Sequence, residues 1–180
     1  MTKETIIQNT ILRTVRGSLV YGTEVTKEET NYYGLDSSSD EDFFRITVAP
    51  LQDIFSLTNP FQSANWKDPD EDVHELKSYM KLALRANPNI LEPLATPEEF
   101  ITDITEEGRI LRANLHLFLA RKTVAKSYFG YSEAQLKRYI LHQPEGGKRQ
   151  DLWARFGYDT KAAYHIVRLL KTSIEILTEA

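Results

Sequence analysis

The sequence of 180 residues contains no cysteine and only four histidines, His74, His116, His142 and His165. Without cysteine the chain can form no disulfide scaffold, and it has neither a thiolate nucleophile nor a cysteine-ligated zinc site. A zinc enzyme would need unusual ligands, because so few histidines remain to bind the metal. The chemistry of this chain must therefore come from its other polar side chains.

Long apolar runs are also missing from the sequence. No apolar stretch reaches the length of a membrane span, and the first residues lack the basic-then-apolar layout of a signal peptide. Hydrophobic residues make up 41% of the chain and charged residues 27%, so the chain can bury a core. We therefore expect a soluble, cytoplasmic protein with no membrane partner.

The net charge of −4 hides an asymmetry along the chain. Residues 1–108 carry 9 Lys/Arg against 20 Asp/Glu, a net charge of −11, whereas residues 109–180 carry 13 against 6, a net charge of +7. An acidic first half suits cation binding, and a basic second half suits phosphate or nucleic acid. Solvated charge on exposed helices is the alternative interpretation.

The first half of the chain reads as a small sheet. Strands are predicted to end at Arg16, to cover residues 43–48, and to cover residues 70–75 before a helix that stops near Ala86. Residues 50–69 contain three prolines and are predicted to be irregular.

The second half reads as helices. We expect them to start at Pro97 with Thr96 as N-cap, to cover residues 110–119, to cover residues 132–141 with Ser132 as N-cap, and to cover residues 159–179. A break is expected at residues 143–147. The predicted fold class is α+β: a small mixed sheet over residues 1–95 and a C-terminal helical bundle over residues 96–180.

The most informative residues are paired carboxylates. Asp40 and Asp42 precede an apolar run, and on a strand they would project from the same face. Two carboxylates that close repel each other unless a cation lies between them, and Mg²⁺ prefers such oxygen ligands. Asp70 and Asp72 share a face of the next strand, with Glu75 on the opposite one, so a third ligand is available for two-metal phosphoryl chemistry.

A Gly17-Ser18 pair follows the first predicted strand and opens what we expect to be a helix. Backbone N–H groups and a serine hydroxyl in such a turn can bind a phosphate. An ordinary strand-to-helix turn with a serine cap is the alternative.

These motifs carry a family resemblance. Gly17-Ser18-x-x-Tyr21-Gly22-Thr23, followed by Asp40-x-Asp42, resembles the signature of the DNA polymerase β nucleotidyltransferase superfamily. Within it the chain is similar to the bacterial and phage branch of RNA-repair-pathway polymerase β-like proteins. Further similarity lies in residues 75–92, 128–138 and 157–170, the last of which reads GYDTKAAYHIVRLL.

The resemblance implies a metal-dependent nucleotidyltransferase with Mg²⁺ or Mn²⁺ as cofactor. Such an enzyme transfers a nucleoside monophosphate from an NTP to an acceptor hydroxyl, such as an RNA or DNA end, and releases pyrophosphate. The implied catalytic and metal-binding residues are Asp40, Asp42 and Asp70, with Asp72 and Glu75 as alternates for the third ligand. Gly17 and Ser18 would bind the phosphates of the nucleotide. The gap between Ser18 and Asp40 is longer than in compact members of the superfamily.

The last predicted helix carries a polar stripe. Ala163, Ile166, Val167, Leu170, Ile174 and Leu177 gather on one side at helical spacing. Lys161, His165 and Arg168 fall on the opposite side, facing either bulk water or the substrate. Together with the family motif, the stripe is interpreted as nucleotide-binding, with Lys161 and Arg168 holding phosphates.

Two other functions remain open at this point. One is a non-catalytic relative that binds nucleotides or nucleic acid, although all the carboxylates are present. The other is a two-metal phosphodiesterase, which would use water as nucleophile and need no triphosphate site, so Gly17-Ser18 favours the transferase. The preferred base, the acceptor and the oligomeric state are not revealed by the sequence.

Overall fold

A computed structural model describes residues 1–22, 41–56, 60–142 and 148–179. The fold is α+β, with a five-stranded mixed sheet and a C-terminal helical region, as the sequence predicts. The chain divides into two compact units, one of residues Met1–Ala83 with Asn89–Leu115, the other of Leu84–Pro88 with the residues from His116 onward. The first unit thus extends to Leu115, past the division at residues 95 and 96 expected from the sequence.

The elements follow one another in this order: α1 (Lys3–Gln8), β1 (Thr10–Arg16), β2 (Asp42–Thr47), α2 (Leu51–Ile54), β3 (Ser63–Lys67), β4 (Asp70–Glu75), α3 (Leu76–Ala83), α4 (Pro88–Ala95), β5 (Ile101–Ile104), α5 (Glu106–Ala113), α6 (Arg121–Gln135), α7 (Lys148–Phe156) and α8 (Thr160–Glu179). Short 3₁₀ turns lie at Glu98–Phe100 and Leu115–Phe118, and a π-helix at Leu136–Ile140 directly follows α6.

The sheet has the order β3-β4-β2-β1-β5. Strands β2 and β4 run parallel, whereas β1 is antiparallel to both of its neighbours, β2 and β5. Two strands therefore begin at the same end of the sheet at which β1 ends. Fully buried apolar residues of the central strands, among them Leu12, Ile46 and Val73, hold this arrangement together.

A buried ionic network lies on one face of the sheet. Glu71 is 2% exposed and accepts hydrogen bonds from Arg13 Nε at 2.8 Å and Arg45 Nε at 2.9 Å. The Arg45 guanidinium also donates to the Thr10 hydroxyl at 2.6 Å. Because the network joins β1, β2 and β4, it ties the three strands that carry the candidate site into one register.

The predicted strands at residues 43–48 and 70–75 are confirmed, but two predictions for neighbouring segments are wrong. Residues 50–69 are not wholly irregular, because they contain α2 and the edge strand β3. The helix predicted from Pro97 is a single 3₁₀ turn followed by β5, which pairs with β1. Thr96 does not cap a helix there; its hydroxyl donates back to the Glu92 carbonyl at 3.3 Å.

The second unit corrects one helix boundary. Helix α6 runs from Arg121 through Ser132, so Ser132 is not an N-cap but a buried residue inside the helix. The start of α8 is confirmed, since the Asp159 carboxylate caps it by accepting from the Ala162 N–H at 2.9 Å. The predicted break at residues 143–147 lies outside the described residues.

The buried side of α8 differs from the predicted one. Ala162, Ile166, Leu169 and Ser173 are buried, whereas Val167 and Ile174 are more than half exposed. The contact side is therefore rotated away from the apolar stripe expected from the sequence. None of the helices in the described parts of the chain has the length and apolar character needed to cross a membrane.

Candidate active site

Three strand ends meet at one edge of the sheet in the first unit. Arg16 is the last residue of β1, while Asp42 and Asp70 are the first residues of β2 and β4. Arg16 pairs directly with Asp42, and the β2–β4 register that pairs Phe43 with Glu71 places Asp42 beside Asp70. Paired residues on neighbouring strands project from the same face about 5 Å apart, so these side chains form one group.

Asp72 projects from this same face, one pleat further along β4. It pairs with Phe44 across β2 and β4, which confirms that Asp70 and Asp72 share a face. Asp72 accepts a bond from Arg16 Nη1 at 2.6 Å and one from Asn65 Nδ2 at 2.7 Å. The carboxylate is thereby fixed by two donors.

Asp70 is held more loosely than Asp72. Its side chain is 44% exposed, and its nearest described partners are Asn65 Nδ2 at 3.4 Å and Lys67 Nζ at 4.0 Å. Of the two aspartates on β4, Asp70 is the one that retains an exposed carboxylate beside Asp42.

Glu75 does not join this group. It lies on the opposite face of β4, is 9% exposed, and accepts a hydrogen bond from the Ser78 N–H at 3.2 Å in the first turn of α3. Its position matches the face expected from the sequence, and its hydrogen bond gives it a helix-capping role.

Gly17 packs against Asp42. A Cβ atom added to Gly17 would lie 3.3 Å from Asp42 Oδ2, and the Gly17 φ of +83° is a conformation that other residues rarely adopt. Both observations explain why glycine occupies this position. The turn continues through Ser18, with the Tyr21 N–H donating to the Gly17 carbonyl at 3.4 Å, so residues 18–22 form a turn and not the helix that we expected.

The donor set at this edge fits a hard cation, with one ligand still to be placed. Asp42 and Asp70 offer carboxylate oxygens on one face, the ligand type that Mg²⁺ prefers. Within the described ranges, no three acidic or histidine side chains are grouped closely enough to hold a metal ion. Asp40, which the sequence predicts on the same face as Asp42, lies outside the described residues.

His74 lies on the same face of β4 as Asp70 and Asp72, two residues beyond Asp72. Its ring stacks on Phe44 with centroids 5.1 Å apart. Burial lowers the pKa of His74, an effect that Asp72 opposes and Arg16 reinforces. The neutral imidazole is therefore favoured, and the stacked ring makes His74 a packing residue.

The predicted nucleotide-binding stripe lies in the second unit, on α8. Arg168 Nη2 lies 3.0 Å from His165 Nδ1, and the His165 ring meets Tyr131 edge-on with centroids 5.9 Å apart. Lys161 is exposed, whereas His165 and Arg168 are half-buried. Their role in binding a nucleotide stays a prediction.

Sequence reasoning missed two residues of the site. Arg16 could have been found from the sequence. It is a cation at the end of the predicted strand, directly before Gly17, and a cation there is expected to lie near the predicted carboxylates. Asn65 carried none, because β3 itself was not predicted and a lone asparagine among prolines reads as loop.

The mixed sheet, with Asp42 and Asp70 side by side at one edge, suits the class of phosphoryl-transfer proteins that the motifs predict. A family model described as the RNA repair pathway DNA polymerase beta family matches residues 5–180, and the chain belongs to that family. The resemblance found in the sequence is thereby confirmed. The family's description suggests polymerase β-like nucleotidyl transfer.

The chain is also similar to an uncharacterized 38.9 kDa protein from the nrdC-mobD intergenic region of Enterobacteria phage T4. The two are 31% identical over 142 residues, which cover 72% of this chain and 38% of the phage protein. The chain thus spans well under half the length of that relative. No solved structure matches the chain.

Proposed function

We propose that this chain is a metal-dependent nucleotidyltransferase that moves a nucleoside monophosphate from an NTP to an acceptor hydroxyl and releases pyrophosphate. One observation carries the proposal: Gly17 packs against Asp42 at the edge where β2 and β4 both begin with an aspartate. A phosphate-binding turn and carboxylate metal ligands are the two parts that such a reaction requires at one place. Family membership supports the same function.

Asp40, Asp42 and Asp70 would hold the metal in this proposal. Asp70 is preferred to Asp72 because Asp72 is already bound by Arg16 and Asn65. Mg²⁺ or Mn²⁺ bound there would neutralise charge on the triphosphate and on the acceptor oxygen. The Asp70 carboxylate, beside the acceptor, would take up the hydroxyl proton.

The remaining residues bind and orient the substrate. Backbone N–H groups of the turn at Gly17 and the Ser18 hydroxyl would donate hydrogen bonds to the phosphates. Arg16 acts through Asp72, which it holds in place at the rim of the site. Lys161, His165 and Arg168 remain proposed phosphate-binding residues of the second unit, and an RNA or DNA end is the proposed acceptor.

The test is label transfer from each α-labelled NTP, with Mg²⁺, to a mixed pool of RNA and DNA oligonucleotides. We expect label on the nucleic acid with the wild-type chain and none with Asp42→Asn. Asp103→Asn is the matched control, because Asp103 is an exposed aspartate on β5 of the same unit. Activity in Asp42→Asn would refute the metal assignment.

The same reactions separate the alternative functions. Shortening of the oligonucleotides without NTP consumption would indicate a phosphodiesterase. NTP binding without transfer to any acceptor, unchanged in Asp42→Asn, would indicate a non-catalytic binding protein. Either result would overturn the proposed activity.

A further inference from the structure

A cavity of about 400 Å³ lies in the second unit and is separate from the residues discussed so far. Its described lining comes from Leu84 and Arg85 and from Thr123, Lys126 and Ser127 of α6. Two of these side chains are cationic, two are hydroxyls, and none of the five is acidic. This combination suits a phosphate group, which accepts hydrogen bonds and carries negative charge.

The backbone gathers these side chains. Thr123, Lys126 and Ser127 have the i, i+3, i+4 spacing that places residues on one face of a helix. Arg85 joins the lining from outside this helix and is followed by Ala86, a buried residue with a φ of +49°. Arg85 and Lys126 are exposed, and neither forms an ion pair with another residue in the described ranges.

The surroundings add positive charge. Residues 84–88 together with residues 116–180 carry 12 Lys/Arg against 6 Asp/Glu, a net charge of +6. Helix α6 begins with two cations, Arg121 and Lys122, with no acidic residue in its first turn and no side-chain cap.

Two further residues of α6 indicate the kind of anion. Phe129 is 65% exposed and lies three residues after Lys126, so it borders the cavity face on the Lys126 side, about 120° around the helix from Thr123. Gly130 lies seven residues after Thr123, on the same side of the helix, and no atom of the described residues lies within 4 Å of a Cβ added there. The backbone of the helix is therefore open to the approach of a ligand at this position.

We propose that this face of α6 binds the phosphodiester backbone of a single-stranded polynucleotide. Arg85 and Lys126 pair with phosphates, Thr123 and Ser127 donate hydrogen bonds to phosphate oxygens, and Phe129 stacks on a base. A basic groove beside an exposed aromatic ring is the combination that single-strand binding proteins use. This surface would hold the RNA or DNA proposed above as acceptor, and in that respect it rests on the proposed function. Strand binding is measured without NTP or metal, so its failure and the failure of the transferase activity can be told apart.

The first test is fluorescence anisotropy of a labelled single-stranded RNA with the full chain, without NTP. Arg85→Ala/Lys126→Ala removes two proposed phosphate contacts, and Lys77→Ala/Lys81→Ala removes two exposed cations of α3 as a charge-matched control. Each lost contact reduces the slope of log K against log salt by about 0.7. For the double variant we expect a slope smaller by about 1.4. If the variant and the wild type bind equally at about 1 M salt, the variant then binds about 25-fold more weakly than the wild type at about 0.1 M.

Equal losses in the two double variants would show that binding follows net charge alone, and would overturn the proposal. Circular dichroism of both variants verifies that the helices remain folded. ATP is the probe for a single nucleotide. ATP binding that disappears with Arg85→Ala/Lys126→Ala, without strand binding in the wild type, would also overturn it.

The second test separates a strand from other polyanions. Phe129→Ala should weaken RNA binding at least about fivefold, because a stacked base is lost. Binding of heparin, a polyanion without bases, should be unchanged. Phe55→Ala, at an 80% exposed phenylalanine of the first unit, is the control. Unchanged RNA binding in Phe129→Ala would refute the stacking and hence the single-strand assignment.

Discussion

The buried carboxylate of Glu71 is a point at which a small change should strongly affect the first unit. We expect Glu71→Gln, which keeps the shape of the side chain and removes its charge, to destabilise the unit strongly. The carboxylate is 2% exposed and receives two arginine donors at 2.8 and 2.9 Å. Without it, Arg45, only 7% exposed, remains as a buried cation without a partner carboxylate in the described structure.

The magnitude follows from the burial. Breaking a buried ion pair by removing one partner costs about 3–5 kcal/mol, because the other charge is left uncompensated. For a chain of this size that corresponds to a loss of roughly 6–20 °C in melting temperature. A cost this large is a substantial part of the about 5–15 kcal/mol that stabilises a typical domain.

Tryptophan fluorescence provides the assay. The chain has two tryptophans, Trp66 in β3 and Trp153 in the second unit. Trp66 pairs with Glu71 across β3 and β4. In a Trp153→Phe background, urea unfolding followed by fluorescence therefore reports on the first unit next to the changed residue.

Two comparisons make the prediction refutable. Glu98→Gln removes an acid that is 70% exposed and 3.4 Å from Arg112, so it should cost no more than about 1 kcal/mol. Arg13→Met should cost less than Glu71→Gln, because Glu71 then keeps Arg45. A Glu71→Gln cost below about 1 kcal/mol, or one smaller than that of Arg13→Met, would contradict the account of a charge network anchoring the sheet.

Three other predictions follow from single contacts. Gly17→Ala should abolish nucleotidyl transfer, because its Cβ would crowd the Asp42 carboxylate. Gly22→Ala carries a similar strain of about 1–2 kcal/mol but should stay active, since none of the described residues lies within 4 Å of a Cβ added there. Transfer assays on both variants test this, and equal inactivation would contradict it. Gly130→Ala should raise helix stability by about 0.5–1 kcal/mol while weakening strand binding, so a variant that melts higher and binds RNA as well as wild type would refute the close approach. Asp70→Asn should remove activity as completely as Asp42→Asn does, measured as kcat at saturating Mg²⁺. A fully active Asp70→Asn would show that Asp70 is not the third metal ligand and would favour Asp72 in that role.

The sequence predicted the central part of the fold well, for a physical reason. Strands β1 and β2 are rich in apolar and β-branched residues. Strand β4 contains one such residue, Val73, and its end is marked by the change to helical spacing at Leu76. Alternation on β4 was enough to place Asp70 and Asp72 on one face and Glu75 on the other. The pairing of β2 with β4, which brings Asp42 beside Asp70, depends on long-range contacts that no local pattern contains.

The failures came where tertiary contacts overrode local preference. Strand β5 reads Ile-Thr-Asp-Ile after an acidic turn, which suits a helix start as well as a strand, and pairing with β1 decides the outcome. Helix α6 continues through Gly130 and Ser132, which by propensity would end or restart a helix. Burial of Tyr128 and Ser132 supplies the packing that holds the helix together there.

The pairing of Arg16 with Asp42 has a consequence for how this chain can change over time. Gly17 directly follows β1 and Asp42 begins β2, and the pairing of these two strands fixes both positions. The length of chain that joins the two residues therefore does not determine their positions. Loop closure becomes costlier only slowly with length, by about 0.6 kcal/mol for each doubling. Insertions and deletions between the two positions can therefore accumulate, and a new specificity can be added there, without disturbing the geometry at the end of the sheet.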